Sequence, residues 1–305
     1  MTEPASSERP VLVLSGTGKT GRRVAARLAA LNLAVRIGSR TASPAFDWTN
    51  PATWQAALHG VDAVYIAYHP DLAFPGAAET VESFVSLAVR GGVRRLVLLS
   101  GRGEAGALRA EQAVRDAGVD WTIVRASWFH QNFSEHFLLE PVRHGEIALP
   151  ASTAREPFVD TDDVAAVAVA ALTEPGHAGL LYEVTGPRLL TFADAAAEIS
   201  AATGRDIRFR SVGPQEYAAE AAAHGVPADE VAALTELFTT VLDGRNAHLT
   251  DGVRQALGRE PVDFADYARR TAATGVWSPR TAAEAAGAHD RASGPAEAST
   301  SAPLS

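Results

Sequence analysis

The chain has 305 residues, 47% of them hydrophobic, and a formal net charge of -9. That is enough apolar material to bury the core of one large or two modest domains, and the acidic balance argues against a nucleic-acid binder. Cysteine is absent, which excludes disulfides, thiolate catalysis and cysteine-ligated zinc. No segment reads as a signal peptide or membrane span, so a cytoplasmic protein without membrane partners is expected.

Residues 1–9 read as a loose polar arm. From Val11 to Arg125, short apolar runs (Val11–Leu14, Leu33–Ile37, Val61–Ala67, Leu96–Leu99, Trp121–Val124) alternate with helical patterns. Val24, Leu28 and Leu31 share one helix face. Asn50-Pro51 is a cap and first-turn pair. Val81, Phe84, Val85 and Ala88 form another apolar stripe, and 104–117 reads as a fourth helix ended by Gly118. Strands alternating with helices predict right-handed crossovers and a parallel sheet, an α/β doubly wound Rossmann architecture.

After residue 126 the pattern changes. SWFHQNF clusters aromatics, and PVRHGEIALP reads as loop. TDDVAAVAVAALTEPG predicts a capped alanine-rich helix, LYEVTG one more strand, and Thr191 with Asp194 a capping box. Helical patterns then occupy roughly 214–224, 227–243, 250–257 and 263–273, a mostly helical substrate-binding part. The composition beyond about 281 reads as a disordered tail. The expected division is therefore an arm (1–9), a cofactor domain (10–150), the remainder of the sheet with the helical substrate domain (151–280), and the tail (281–305).

Gly16, Gly18 and Gly21 spell G-x-G-x-x-G directly after a strand and at the start of a helix. In that context Gly16 allows the tight turn, Gly18 lets a pyrophosphate approach the backbone, and Gly21 lets helix and strand pack closely. The free N–H groups and the helix dipole favour an anion. Gly18-Lys19-Thr20 also resembles a nucleoside-triphosphate loop, but that motif needs a glycine where Val13 stands. NAD-specific folds place an acid near the end of the second strand. Here the end reads Arg36-Ile37-Gly38-Ser39-Arg40, and Arg40 with Ser39 suits the 2′-phosphate of NADP(H). The expected cofactor contacts are Gly16, Thr17, Gly18, Lys19, Thr20, Gly21, Ser39, Arg40, Ala67 and Ser100.

In an open parallel sheet, ligands sit outside the carboxyl ends of the strands. Tyr68 and His69, Ser100, and the run from Trp128 through His130 to Asn132 fall at those ends. GTGKTGRR, GVDAVYIAY, GVRRLVLLSG, AEQAVRDAGVDWTIVRASWFHQNF, EPFVDTDDVAAVAVAAL and YEVTGPRLLTFADAAAEIS together resemble the NmrA-like family, an atypical branch of the short-chain dehydrogenases/reductases. The resemblance spans roughly residues 11–270. It implies a Rossmann domain with a small C-terminal substrate domain, and NADP(H) bound through Gly16, Gly18, Gly21 and Arg40. The family divides into reductases, among them quinone and isoflavone types, and non-catalytic sensors of the cofactor's redox state.

The chain departs from typical members of the superfamily in one respect. Those members use a Tyr-x-x-x-Lys pair, and Lys19 is the only lysine here. Hydride transfer still needs a proton donor near the developing negative charge. Tyr68, His69 and His130 are the candidate catalytic residues, with Ser100 a further donor. Trp128, Phe129 and Asn132 are expected to line a flat substrate pocket. The histidines show no metal-ligand spacing and no metal is expected. Asp160, Asp162 and Asp163 read as a helix cap rather than a catalytic cluster. The expectation is an NADPH-dependent reductase of a small conjugated acceptor such as a quinone, enone or imine. A cofactor sensor is the alternative, a natural-product tailoring reductase a variant of the first reading, and a homodimer is left open.

Overall fold

The computed structural model describes residues 9–279 apart from 152, 224 and 227. The expected tail, and all but the last residue of the expected arm, lie outside the described residues. The amino-terminal part runs β1 (Val11–Leu14), α1 (Gly21–Ala30), β2 (Val35–Gly38), α2 (Trp54–Leu58), β3 (Ala63–Ile66), α3 (Ala77–Arg90), β4 (Arg95–Gly101), α4 (Ala107–Arg115) and β5 (Asp120–Ala126). There follow α5 (Asn132–Glu135), α6 (Leu139–His144), β6 (Glu146–Leu149), α7 (Thr161–Thr173), β7 (Leu180–Val184), α8 (Phe192–Thr203) and β8 (Arg208–Ser211). The last helices are α9 (Pro214–Ala223), α10 (Ala228–Val241), α11 (Gly252–Leu257) and α12 (Phe264–Ala273).

Six strands form one sheet in the order β2-β1-β3-β4-β5-β7, and every pair is parallel. The continuous apolar runs are explained by burial on both faces, with successive side chains alternating between them. Leu12, Leu14, Val64, Ile66, Leu96 and Leu98 point into one core, which Val81, Phe84 and Val85 of α3 also fill. Val13, Tyr65, Val97, Val124 and Val184 point into the other, against Val24 and Leu28 of α1 and the apolar residues of α7. LYEVTG thus supplies the edge strand β7. A third cluster, rich in phenylalanine, holds α8, α12 and the segment after β5 together.

The expected helix starts are present with their caps. Asp160 accepts from the Asp162 N–H at the start of α7, and Thr191 and Asp194 close a reciprocal capping box on α8. Asn50 accepts from the Ala52 N–H, but it opens a single 3-10 turn over Pro51–Thr53 before α2. PVRHGEIALP is not loop. It carries the end of α6 and all of β6, whose parallel partner is β8, some 60 residues further on. Ile147 and Leu149 alternate inward there, a signal too short to separate from loop without that partner. β8 is not among the expected strands, although Ile207 and Phe209 alternate there with Arg208 and Arg210.

Candidate active site

The glycine turn is built as the motif requires, though not for every reason expected. Ser15, not Gly16, takes the left-handed conformation, with φ of 49°, and its Oγ donates to the Ala67 carbonyl at the end of β3, 2.8 Å away. Gly16 is required for space, because a Cβ there would sit 2.9 Å from both Ile37 Cγ2 and the Val13 carbonyl oxygen. A Cβ at Gly21 would overlap the Ser15 carbonyl, which is the close helix–strand packing. At Gly18 the only close neighbour belongs to Ser15, and the outer side is open. Among the described residues, the N–H groups of Thr17, Lys19 and Thr20 have no main-chain acceptor. α1 has no side-chain cap and no acid in its first turn. Unpaired donors at an uncapped helix start fit a pyrophosphate. Arg40 is exposed beyond β2 with Asp47 as a charged neighbour, and Ser39 Oγ lies 3.4 Å from Thr41 Oγ1.

The side chain of Lys19 leaves the turn and crosses to the segment after β5. Its Nζ donates to Asn132 Oδ1 at 2.7 Å and stands 5.8 Å from the centre of the Phe129 ring. That segment is drawn back over the sheet edge because Glu135 pairs with both Arg22 and Arg23 of α1. Burial pushes the Lys19 amine down to about 8; Glu135 opposes this, and Arg22 and Arg23 reinforce it. His136 and His69 share the same gap. His136, open to solvent on one side, is held below the ordinary histidine value by burial first, then by Lys19 and His69. It is therefore neutral at pH 7.

The other expected site residues divide. His69 is exposed after β3, and Tyr68 is half-buried against Trp48, ring centres 4.9 Å apart. His130 does not face the gap. It is fully buried, with Nε2 2.9 Å from the Phe158 carbonyl oxygen and its ring packed between Phe264 and Tyr267. From His130 through Ser134 the segment is buried, so the His130 ring is closed off from the gap. Trp128 stacks on Phe238 of α10 at 5.4 Å, with the planes 8° apart, so it joins the helical part to the edge. Ser100 is buried and donates to Glu111 Oε1 at 2.7 Å. A surface hollow of about 370 Å³ between α8 and α12, lined by Arg205, Arg269 and Trp277 among others, lies away from this edge.

A model of the NAD(P)H-binding family matches residues 16–175 and one of the NmrA-like family residues 107–267. The chain belongs to the NmrA-like family. It is 31% identical over 285 residues to the NAD(P)H azoreductase of Xenophilus azovorans, covering 86% of this chain and 98% of that one. The agroclavine dehydrogenase of Claviceps fusiformis is 32% identical over 275 residues, covering 84% and 95%. Among solved structures, the Citrobacter sp. triphenylmethane reductase complexed with NADP(H) superposes with a TM-score of 0.69 at 19% identity, over 86% of this chain and 99% of that one.

In this NmrA-like chain the middle of α4 anchors an ion-pair network. Glu111, 2% exposed, receives both Arg125 and Ser100. Arg125 also reaches Glu183 of β7 at 2.8 Å, and buried Arg102 approaches Glu183, Ser127 and His248. Sequence reasoning expected Ser100 beside the cofactor and left the other residues unassigned, since their partners lie on different elements. It also passed over Asp71 and Glu104, whose carboxyls hydrogen-bond to each other beyond β3 and β4. Burial raises both, and Asp71 raises Glu104 further.

Proposed function

We propose that the protein is an NADPH-dependent reductase of a small, flat, conjugated acceptor of the quinone, enone or imine type. The observation that carries this reading is the convergence of two features on one gap. The open glycine turn, with its unpaired N–H groups, faces the place where Lys19, His69, His136 and Phe129 meet. A relative named as an azoreductase and another named as a dehydrogenase support a redox role.

In this reading the backbone of Gly16 to Gly21, with Thr17, Lys19 and Thr20, holds the pyrophosphate. Ser39 and Arg40 hold the 2′-phosphate, and Ala67 fixes the turn through Ser15. The bound cofactor supplies the hydride. Phe129 offers a flat apolar wall, and Asn132 is occupied in holding Lys19. Tyr68 and His69 flank the mouth of the gap. The test is NADPH consumption against a panel of quinones, enones, imines, azo compounds and aldehydes. Turnover confined to conjugated acceptors is expected. Tight NADPH binding with no turnover on any of them would overturn the reading and assign a cofactor sensor.

A further inference from the structure

We infer that Lys19 is the proton donor of the reduction, its ammonium group aimed by Asn132 across the face of Phe129. This rests on the reductase reading and adds to it a residue that has two functions. Its main-chain N–H serves the cofactor, and its side chain serves the substrate.

The argument begins with what else stands there. The superfamily's usual tyrosine–lysine pair is absent from the sequence. On α4, Glu111 is consumed by Arg125 and Ser100. His130 is sealed in the core. Of the groups facing the gap, His136 is neutral at pH 7 and so does not serve as a cationic acid. Lys19 is different. A lysine in a glycine turn can extend along the surface, yet this one is held at 2.7 Å by an amide oxygen. Asn132 itself is 7% exposed at the start of α5. One of the three ammonium protons is used by Asn132, which leaves two for a substrate atom.

The charges around the amine set its acidity. Arg22 and Arg23 of α1 and Glu135 of α5 bear on it, and His136 stands across the gap. Burial and the two guanidiniums outweigh Glu135, so the ammonium gives up its proton near pH 8 rather than above 10. A donor close to the working pH is the efficient one. The chemistry balances without a further reagent. Hydride adds to the electrophilic carbon of the acceptor, and the π pair moves to the conjugated oxygen or nitrogen. Lys19 protonates that atom, is left as the neutral amine, and regains its proton from solvent.

The sole lysine makes the test clean. Reductive methylation with 13C-formaldehyde labels one ε-amine besides the chain's α-amine, and its NMR signal reports the titration directly. A midpoint near pH 8 is expected in the folded protein; one near that of free lysine would overturn the inference. Lys19→Met should lower kcat at pH 7 by about 100-fold while the NADPH Kd stays within about threefold, which also shows that the variant folds. Lys19→Arg, whose guanidinium holds its proton, should fail to rescue kcat. The alkaline limb of the wild-type kcat profile, which the bound pyrophosphate should push above the ligand-free midpoint, should vanish in Lys19→Met, and Asn132→Ala should move it. A Lys19→Met enzyme that turns over normally at saturating NADPH but binds it tenfold more weakly would make Lys19 a phosphate contact only. A wild type inactive on every acceptor overturns the reductase reading, and this inference with it.

Discussion

The two halves of the sheet's carboxyl edge contain similar residues used in opposite ways. Beyond β4, β5 and β7, Ser100, Glu111, Arg125, Glu183 and Arg102 are tied to one another. Beyond β1 and β3, the N–H groups of Thr17, Lys19 and Thr20 have no main-chain acceptor among the described residues, and Lys19 keeps ammonium protons beyond the one given to Asn132. Saturated polar groups hold a fold in register; unsaturated ones at a cleft await a ligand. The strand ends alone do not separate the two, since every one of them carries polar residues.

Breaking the saturated half should have the largest effect. Glu111→Ala takes one of two carboxylate partners from Arg125, which keeps Glu183, and leaves the buried Ser100 hydroxyl without its acceptor; it should cost about 3 kcal/mol in urea unfolding. An unchanged midpoint would mean that the network is dispensable. Glu156 sharpens the contrast because it is buried near Arg102 with neither carboxyl oxygen bonded. Burial pushes it up to about 7 from an ordinary 4.5, Asp243 adds to this, and Arg102 opposes it. The folded chain therefore binds this proton more tightly than the unfolded chain. Its contribution is most favourable below about pH 4.5, declines as pH rises from there to about 7, and is a constant cost above. Glu156→Gln should stabilise the protein at pH 8 by up to about 3 kcal/mol, an advantage that disappears toward pH 4.5. Equal gains at both pH values would show that ionisation is not the cause.

In the open half, Arg40→Ala should weaken NADPH by about 10- to 100-fold, the worth of one charge-assisted hydrogen bond, and leave NADH unchanged. Parallel losses for both nucleotides would remove Arg40 from the 2′-phosphate site. The smallest effect belongs to a pair outside both halves. Arg109 and Glu79 meet at 3.0 Å with both side chains more than half exposed, and Arg109→Ala should change stability by no more than about 0.5 kcal/mol.

Much of this was legible in the order of residues. The double-faced strands show as unbroken apolar runs, and Leu12 and Leu14 do part from Val11 and Val13 onto opposite faces. Asp160 and the Thr191–Asp194 box were readable because a cap needs only its own next few residues. The cofactor turn was readable for the same reason. Asn132 was expected in the pocket, but its hold on Lys19 spans 113 positions and leaves no periodic trace. His130 and Trp128 stand two residues apart in one aromatic run. Their separate destinations depend on Phe264 and Tyr267 in one case and Phe238 in the other.

Local chemistry in the chain therefore determined the strand–turn–helix start, the parallel sheet, the capped helices and the family. Each rests on backbone geometry, side-chain periodicity or motif order within a short window. Tertiary structure alone decided which polar groups are spent and which are free. The partners of Lys19, Glu111 and Glu156 are brought in, or kept away, by elements distant in sequence. The acidity of each follows from how much water and opposite charge that packing leaves beside it.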